Sequence, residues 1–483
     1  MTSTATAMIA GEPHETGQWY ESVDPYTLKS VAWVTDCSPT DAVLAVEQAE
    51  AALAGWTRTG VAQRRDVLKT AADELDRRRA ELVDLAVRDA GALPKVAADT
   101  QVGAAIDRLK QWAALPGEVL DVPQPAADGA LDARVRRAPL GVVACISPYN
   151  FPLLAMIGKV APALFTGNTV VMKPAPQDPL LVVALAEALR TALREHRLPL
   201  GAVNLLTGAG PELGAALTEH RGVRGVSFTG STHVGIQIHH SAAATMKHLL
   251  LELGGKGALI ARHDADPRAV VQAVTRTWTV HAGQVCLTPS RLIVDQAIHD
   301  EVVAGLRGVL TALRTGDPFA PSTTVGPVIS AAQRDNIEEL IDSARHQNCV
   351  VERSHRSPGT GFFVPPALIT DCAPEHHVMQ EEAFGPVLCV MRSRSDEEAV
   401  AAANSTRYAL SDYIFTAAPE VAHALAPRLH AAQVGVNTTR RHPAAPFGGN
   451  LASGIGRSGG TWSIDAYTTL QSLTEESPGF PDA

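Results

Sequence analysis

Short apolar runs alternate with longer stretches of helical periodicity through most of the chain. From Leu140 the rhythm is strand, turn, helix. Gly141–Ile146 is a continuous apolar run, Phe151–Leu164 predicts a helix, and Asn168–Met172 is a second apolar run before a helix from Asp178-Pro179 to about His196. Val203–Leu206 and Gly225–Phe228 predict further strands, each followed by glycine and then a helix. Strands this short and uniformly apolar belong to a parallel sheet covered by helices on both faces, so this half predicts a doubly wound α/β unit of nucleotide-binding type. The alternation resumes after Glu252: Gly257–Ala261, a helix from Pro267, Arg291–Asp295, then helices over Ile298–Leu313 and Ala331–Gln347. Cys389–Arg392 and Tyr413–Phe415 complete a second α/β unit.

Before Leu140 the pattern is helical. Ser38-Pro39-Thr40-Asp41 has a capping serine, a first-turn proline and an aspartate at the positive end of the helix dipole, ahead of the alanine-rich run Ala42–Leu53. Ala62–Arg88 places Val67, Leu68, Ala71 and Leu75 on one face, and Gln101–Leu115 predicts another helix. Met1–Gly17 is polar and predicts frayed or extended chain. Val119–Arg137, with Pro123 and Pro125 followed by strict alternation from Leu131, fits either an exposed strand outside the main sheet or a surface loop.

A chain of 483 residues exceeds what one hydrophobic core usually supports, so two or three domains are expected. The formal charge of -10 argues against a nucleic-acid partner. Met1–Ala10 lacks the basic start of a secretory signal, and the most membrane-like stretch, Leu153–Met172, is interrupted by Lys159, Gly167 and Asn168. No membrane association is expected. The six cysteines lack metal-ligand or disulfide spacing, which fits a reducing cytoplasm. His239-His240 and His376-His377 predict surface residues rather than a metal site.

Two segments carry candidate chemistry: Leu251-Glu252-Leu253-Gly254-Gly255-Lys256 and Gly283-Gln284-Val285-Cys286-Leu287-Thr288. A free thiol has a pKa of roughly 8.5 and is a poor nucleophile until deprotonated. A glutamate on a second segment can serve as its base or activate water for a later step. Taken singly, Cys286 reads equally as a small buried hydrophobe, and Glu252 as a solvated or capping residue.

Together the two segments resemble the signatures of the aldehyde dehydrogenase superfamily. Ser147-Pro148-Tyr149-Asn150-Phe151-Pro152-Leu153, Lys173-Pro174-Ala175-Pro176, Phe228-Thr229-Gly230-Ser231-Thr232, Glu382-Ala383-Phe384-Gly385-Pro386-Val387 and Pro446-Phe447-Gly448-Gly449 extend the likeness, in the family's order, from about Val23 to Leu473. The resemblance implies two doubly wound α/β domains plus a small β oligomerisation arm. On that reading residues 1–118 and 140–252 form the dinucleotide-binding domain and 253–452 the catalytic domain. Residues 119–139 and 463–483 form the arm of a homodimer or homotetramer.

The implied reaction is oxidation of an aldehyde to the free acid with NAD, NADP being a second option. Cys286 would be the nucleophile, Asn150 the oxyanion donor, Glu252 the base that activates water, and Lys159 a supporting residue. Cofactor contacts would come from Ile146, Ser147, Lys173, Gly208, Gly230, Ser231, Leu253, Glu382 and Phe384. Substrate walls would come from Tyr149, Phe151, Val285, Leu287 and Phe447, with Gly158 widening the entrance. Gly208-Ala209-Gly210 imitates a Rossmann phosphate loop, but Leu213 stands where the third glycine belongs. Two departures stand out. Pro176 replaces the glutamate that often disfavours NADP, and Ser458 follows Gly456-Arg457 where many relatives have a glutamate, which leaves deacylation to Glu252 and water. Arg440 and Arg441 either bind a substrate carboxylate or form a solvated basic turn. The expected substrate is a medium or large apolar or aromatic aldehyde. Competing readings are a coenzyme A-acylating semialdehyde dehydrogenase and a non-catalytic structural or binding relative. Glu252 disfavours the first, since acylating relatives typically lack it.

Overall fold

The computed structural model of the protein describes residues 3–125, 131–355 and 359–476. Two sheets dominate it. The first has eight strands: Gly454–Ile455, His248–Glu252, Val223–Thr229, Val142–Ile146, Thr169–Lys173, Val203–Leu205, Ala7–Ile9 and Glu12–His14, in that spatial order. The five strands between residues 142 and 252 run parallel, and the two ends of the sheet are closed by antiparallel additions. Alternation along one strand explains how both faces are covered. Val142, Ala144 and Ile146 pack into a cluster with Ala45, Val46 and Leu217, while Val143 and Cys145 point the other way into one with Leu68, Ile106 and Leu189.

The second sheet has seven strands, ordered Val350–Arg353, Ala367–Thr370, Val387–Ser393, Arg291–Asp295, Ala258–Ala261, Ser411–Phe415 and Gln433–Val436. All of its pairings are parallel except Val350–Arg353 against Ala367–Thr370. It has its own apolar core, in which Trp278 is fully buried. The membrane-like stretch is the helix Pro152–Phe165 running into the strand Thr169–Lys173. No helix among the described residues is long and apolar enough to cross a membrane.

Several expectations needed revision. The single helix over 62–88 is two, Val61–Arg77 and Arg79–Ala90, broken at Arg78 with φ -93° and ψ 8°. Neither glycine nor proline marks the break, so periodicity alone ran through it. Of the two readings of Met1–Gly17, frayed or extended, its described part takes the second: it supplies two strands to the first sheet and one, Ser3–Ala5, to a small sheet with Ser30–Thr35 and Trp19–Val23. For Val119–Arg137 the expected exposed strand outside the main sheet is found, as Leu131–Pro139 paired antiparallel with Thr468–Glu476. Residues 126–130 and 477–483 of the expected arm lie outside the described residues. The strand His248–Glu252, which delivers the glutamate, was absent from the sequence expectation.

Candidate active site

Glu252 is the last residue of the strand His248–Glu252, held parallel to Thr229 on one side and antiparallel to Gly454 on the other. The chain then leaves the sheet through Leu253, Gly254 and Gly255, and the glycine pair has a steric reason. A Cβ on Gly255 would stand 2.7 Å from the Cys286 carbonyl oxygen, and one on Gly254 would run into the Glu382 carboxylate. The backbone N–H of Gly255 donates to Glu382 Oε1 at 2.9 Å. Two bare backbones therefore let three chemistry-bearing segments come together.

The cysteine sits at the end of a strained turn. After the helix Pro267–Trp278, His281, Ala282 and Gly283 have φ of 49°, 53° and 74°, the left-handed region that non-glycine residues seldom occupy. A Cβ on Gly283 would collide with the Gly385 carbonyl and stand 2.7 Å from Pro386 N, so the cysteine's turn is fitted directly against the segment bearing Glu382 and Phe384. Asn150 Nδ2 donates to the Gln284 carbonyl at 2.7 Å, and Gln284 Oε1 accepts from Ile329 N at 3.0 Å. From a π-helical turn over Ala97–Gly103, Gln101 Nε2 donates to the Asn150 carbonyl at 2.6 Å. A π turn inside a helix is a frequent mark of a functional site, and here it aims Gln101 at the backbone of Asn150.

Burial governs the electrostatics. It raises the Cys286 thiol to about 12, with the Glu382 and Glu252 carboxylates adding to the rise and the backbone N–H groups of Cys286 and Leu287 opposing it. At that value the thiol is neutral near pH 7. Glu252 is raised to about 7 by burial, against the pull of Lys159, the Ser458 hydroxyl, Arg441 and Arg108. Lys159 is lowered to about 8 by burial, opposed by Glu252, and its Nζ donates to Thr229 Oγ1 at 2.6 Å. Glu382 is raised to about 7, again by burial. Groups so displaced and clustered are the usual composition of a reaction centre.

A cleft of about 630 Å³ opens beside Cys286. Asn150, Tyr149 and the predicted contacts Ile146, Ser147, Lys173, Gly230, Ser231, Leu253, Glu382 and Phe384 all line it. Ser231 caps the helix Thr232–Ala242, accepting from Val234 N at 3.3 Å, so that helix N-terminus faces the cleft. Tyr149 and Phe384 meet edge to face, with centroids 5.8 Å apart. Gly208 is not in the cleft wall: it lies behind, against Leu213, Cys37 and Asp36, and Pro211, Gly214 and Ala215 form the wall instead.

The model of the aldehyde dehydrogenase family matches residues 12–473. This chain belongs to the aldehyde dehydrogenase family. It is 36% identical over 475 residues to the 2-hydroxymuconic semialdehyde dehydrogenase of Pseudomonas sp. strain CF600, covering 95% of this chain and 96% of that one. With the vanillin dehydrogenase of Corynebacterium glutamicum it shares 33% over 481 residues, 97% and 98% of the two chains. Among solved structures, the NAD+ complex of an aldehyde dehydrogenase from Bacillus cereus superposes with a TM-score of 0.93 at 31% identity, covering 98% of this chain and 97% of that one. PnpE in complex with nicotinamide adenine dinucleotide gives 0.93 at 33% identity, covering 100% and 99%. Membership makes this chain an NAD(P)-dependent oxidoreductase that converts aldehydes to acids.

In this aldehyde dehydrogenase three sequence expectations concern residues outside the cleft wall. Glu252 is not left to water alone: Ser458 Oγ donates to its Oε1 at 2.5 Å, while Oε2 is buried without a protein partner. Gly158 does not widen an entrance, because Arg108 Nη1 stands where its Cβ would be 2.8 Å away. Arg440 is exposed, whereas Arg441 turns inward over the Phe447 ring, 5.0 Å from its centroid. Of the remaining predicted wall residues, Phe151 packs on His281 with centroids 5.5 Å apart, and Val285 and Leu287 flank Cys286, Leu287 O accepting from Tyr413 Oη at 2.7 Å. Arg108 and Gln101 carried no local motif that would have singled them out. Their roles arise only where the helix Ala104–Ala114 and the π turn before it pack on Pro152–Phe165.

Proposed function

We propose that this aldehyde dehydrogenase oxidises its substrate through a covalent adduct on Cys286 and releases the free acid by hydrolysis. The observation that carries the reading is spatial. Cys286, Asn150 and Glu382 line one cleft, and Glu252 arrives beside Cys286 from the neighbouring strand across the Gly254-Gly255 step. Attack of the sulfur on the carbonyl carbon, with the thiol proton passing through the Glu252 carboxylate to solvent, gives the anion of a thiohemiacetal. Its oxygen gathers charge where the second N–H of Asn150 Nδ2 and the backbone N–H of Cys286 can meet it, the first N–H being engaged by Gln284. Bound NAD(P)+ supplies the two-electron acceptor, leaving a thioester. Glu252, poised by burial near neutrality, takes a proton from the water that opens that thioester, and the thiol is regenerated. Lys159 holds Glu252 towards its ionised form.

For the cofactor, the cleft offers a lysine at Lys173, a carboxylate at Glu382 and a helix N-terminus at Gly230 and Ser231, a donor set that fits a ribose–pyrophosphate chain. Residues 1–118 and 140–252 would serve dinucleotide binding and 253–452 catalysis. Leu470 and Leu473, exposed on the paired strand Thr468–Glu476, would meet another subunit in a homodimer or homotetramer. A cytoplasmic location suits an enzyme whose nucleophile is an unpaired cysteine.

The test is Cys286→Ala. The variant is expected to stay folded and bind NAD+ while aldehyde oxidation disappears; oxidation at the unaltered rate would refute the assignment. Acid formed by the native enzyme without coenzyme A supports hydrolysis, and turnover only with coenzyme A would replace it with acyl transfer.

A further inference from the structure

We propose that Cys349 and Cys372 form a site of reversible oxidation, a thiol pair that a peroxide converts to a disulfide independently of Cys286. Spacing along the chain gives no sign of the pair, because Cys349, Cys372 and Cys389 are scattered. The fold gathers them. Val350 pairs with Thr370 across antiparallel strands and Ile369 with Cys389 across parallel ones, so the three cysteines meet at one end of the second sheet. Cys349 follows Asn348 and Cys372 follows Asp371, two turn residues with left-handed φ of 65° and 56°. The Cys372 thiol is in hydrogen-bond contact with both Cys349 and Cys389.

Access and a nearby base set the order of events. Cys389 is fully enclosed, whereas Cys349 and Cys372 each keep 8% of their surface exposed, and the neighbours of Cys349, Asn348 and Val350, are exposed. Cys349 Sγ lies 3.1 Å from His376 Nδ1. The backbone N–H of Ala373 donates to that same nitrogen at 3.1 Å, so Nδ1 is an acceptor and the thiol is its donor. An imidazole so placed takes the thiol proton and leaves the reactive thiolate. Burial raises the Cys349 thiol, and the contact with Cys372 opposes the rise. The hydrogen bond between Cys372 and Cys389 raises the first and lowers the second, with Lys256 and Arg291 also favouring the Cys389 thiolate. Cys372 therefore waits as a thiol beside Cys349. Among the described residues no group of such side chains is arranged to hold a metal ion, so the chemistry open to the cluster is between its sulfurs.

The Cys349 thiolate attacks one peroxide oxygen, and the O–O bond breaks. Cys349 becomes a sulfenic acid, while the departing hydroxide takes the proton held by His376 and leaves as water. Cys372 then attacks that sulfur: the S–S bond forms, the S–O bond breaks, and hydroxide leaves with the Cys372 proton as a second water. Two thiols lose two electrons, one peroxide gains them, and a dithiol reductant reverses the change. The cluster adjoins the short helix His377–Gln380, whose Val378 carbonyl accepts from Cys389 Sγ at 3.6 Å and whose chain leads into Glu382.

The competing role for the three thiols is to fill core space as small apolar groups. Peptide mapping separates the two. Native enzyme is treated with hydrogen peroxide, quenched with N-ethylmaleimide in denaturant, digested without reduction and read by mass spectrometry. A peptide pair joining Cys349 to Cys372, lighter by the two lost hydrogens and cleaved by dithiothreitol, is expected. Cys372→Ser should leave Cys349 as a sulfenic acid that dimedone captures, and Cys349→Ser should leave Cys372 as a free thiol. The native map decides the pairing whether or not either variant folds. A Cys372–Cys389 link in its place, or full recovery of Cys349 and Cys372 as maleimide adducts once peroxide has oxidised Cys286, would overturn the proposal. In Cys286→Ala the link should form unchanged; its loss there would tie the oxidation to the other thiol and refute an independent site.

Discussion

Ser458→Ala removes the hydroxyl that donates to Glu252 Oε1 at 2.5 Å and changes little else, since among the described residues its other side-chain bond is a 3.5 Å contact to the Phe447 carbonyl. A hydrogen bond to an ionised group is worth about 1.5–3 kcal/mol, and each pKa unit corresponds to about 1.4 kcal/mol. Losing it should raise Glu252 by about 1–2 units above its present value of about 7. The sign follows from the chemistry. Only the carboxylate can take a proton from water, so activity falls as pH drops through the Glu252 pKa, and the acid limb of the hydrolytic step moves to higher pH in the variant. Near pH 7.5 the deacylation rate should drop roughly tenfold, with recovery above about pH 9.

The assay must isolate that step. 4-Nitrophenyl acetate acylates a reactive thiol and releases nitrophenolate in a burst, and the slower steady phase reads hydrolysis of the acyl-thiol. The burst should persist and the steady phase should carry the shifted limb. An acid limb unmoved by the substitution would refute the reasoning and leave Lys159, the largest of the four influences that favour the charged form, as the group that sets Glu252.

Three other outcomes follow from the geometry. Glu252→Gln should abolish deacylation yet stabilise the fold at pH 8. A carboxyl raised from 4.5 to about 7 weakens the native state progressively as pH rises from 4.5 to 7, by up to about 3 kcal/mol, so a thermal melt showing destabilisation at pH 8 and none at pH 4.5 would contradict it. Gly283→Ala combines a left-handed φ of 74° with a collision against the Gly385 carbonyl, so a loss of several kcal/mol is expected in a denaturant titration; a change below about 1 kcal/mol would show that the turn relaxes freely. Leu470→Asp, on the exposed face of the strand Thr468–Glu476, should reduce the assembly mass seen by light scattering while leaving NAD+ affinity intact, and an unchanged mass would remove that strand from the interface.

Much of the site was legible in the chain because its pieces are local. Leu251–Lys256, Gly283–Thr288 and Ser147–Leu153 each carry a residue type whose chemistry requires the flanking glycines, turns or helix starts seen beside it. The parallel strands were legible for a related reason: Val142–Ile146 and Thr169–Lys173 are fully buried, so the first is apolar throughout and the second has an apolar centre, Val170–Met172. The strand His248–Glu252 escaped notice because only its last three residues are buried, and the split at Arg78 because nothing local marks it.

The sequence by itself determined the two α/β units and the family, and singled out the cysteine, asparagine and glutamate proposed for the reaction. Only the tertiary structure decided what surrounds them: that Ser458 bonds Glu252 across 206 positions, that Arg108 occupies the space left by Gly158, and that Arg440 and Arg441 part ways, one to solvent and one over Phe447. Period and motif are properties of neighbours along the chain, whereas a partner's identity depends on which distant segment the packing of helices and strands delivers to the same few ångströms.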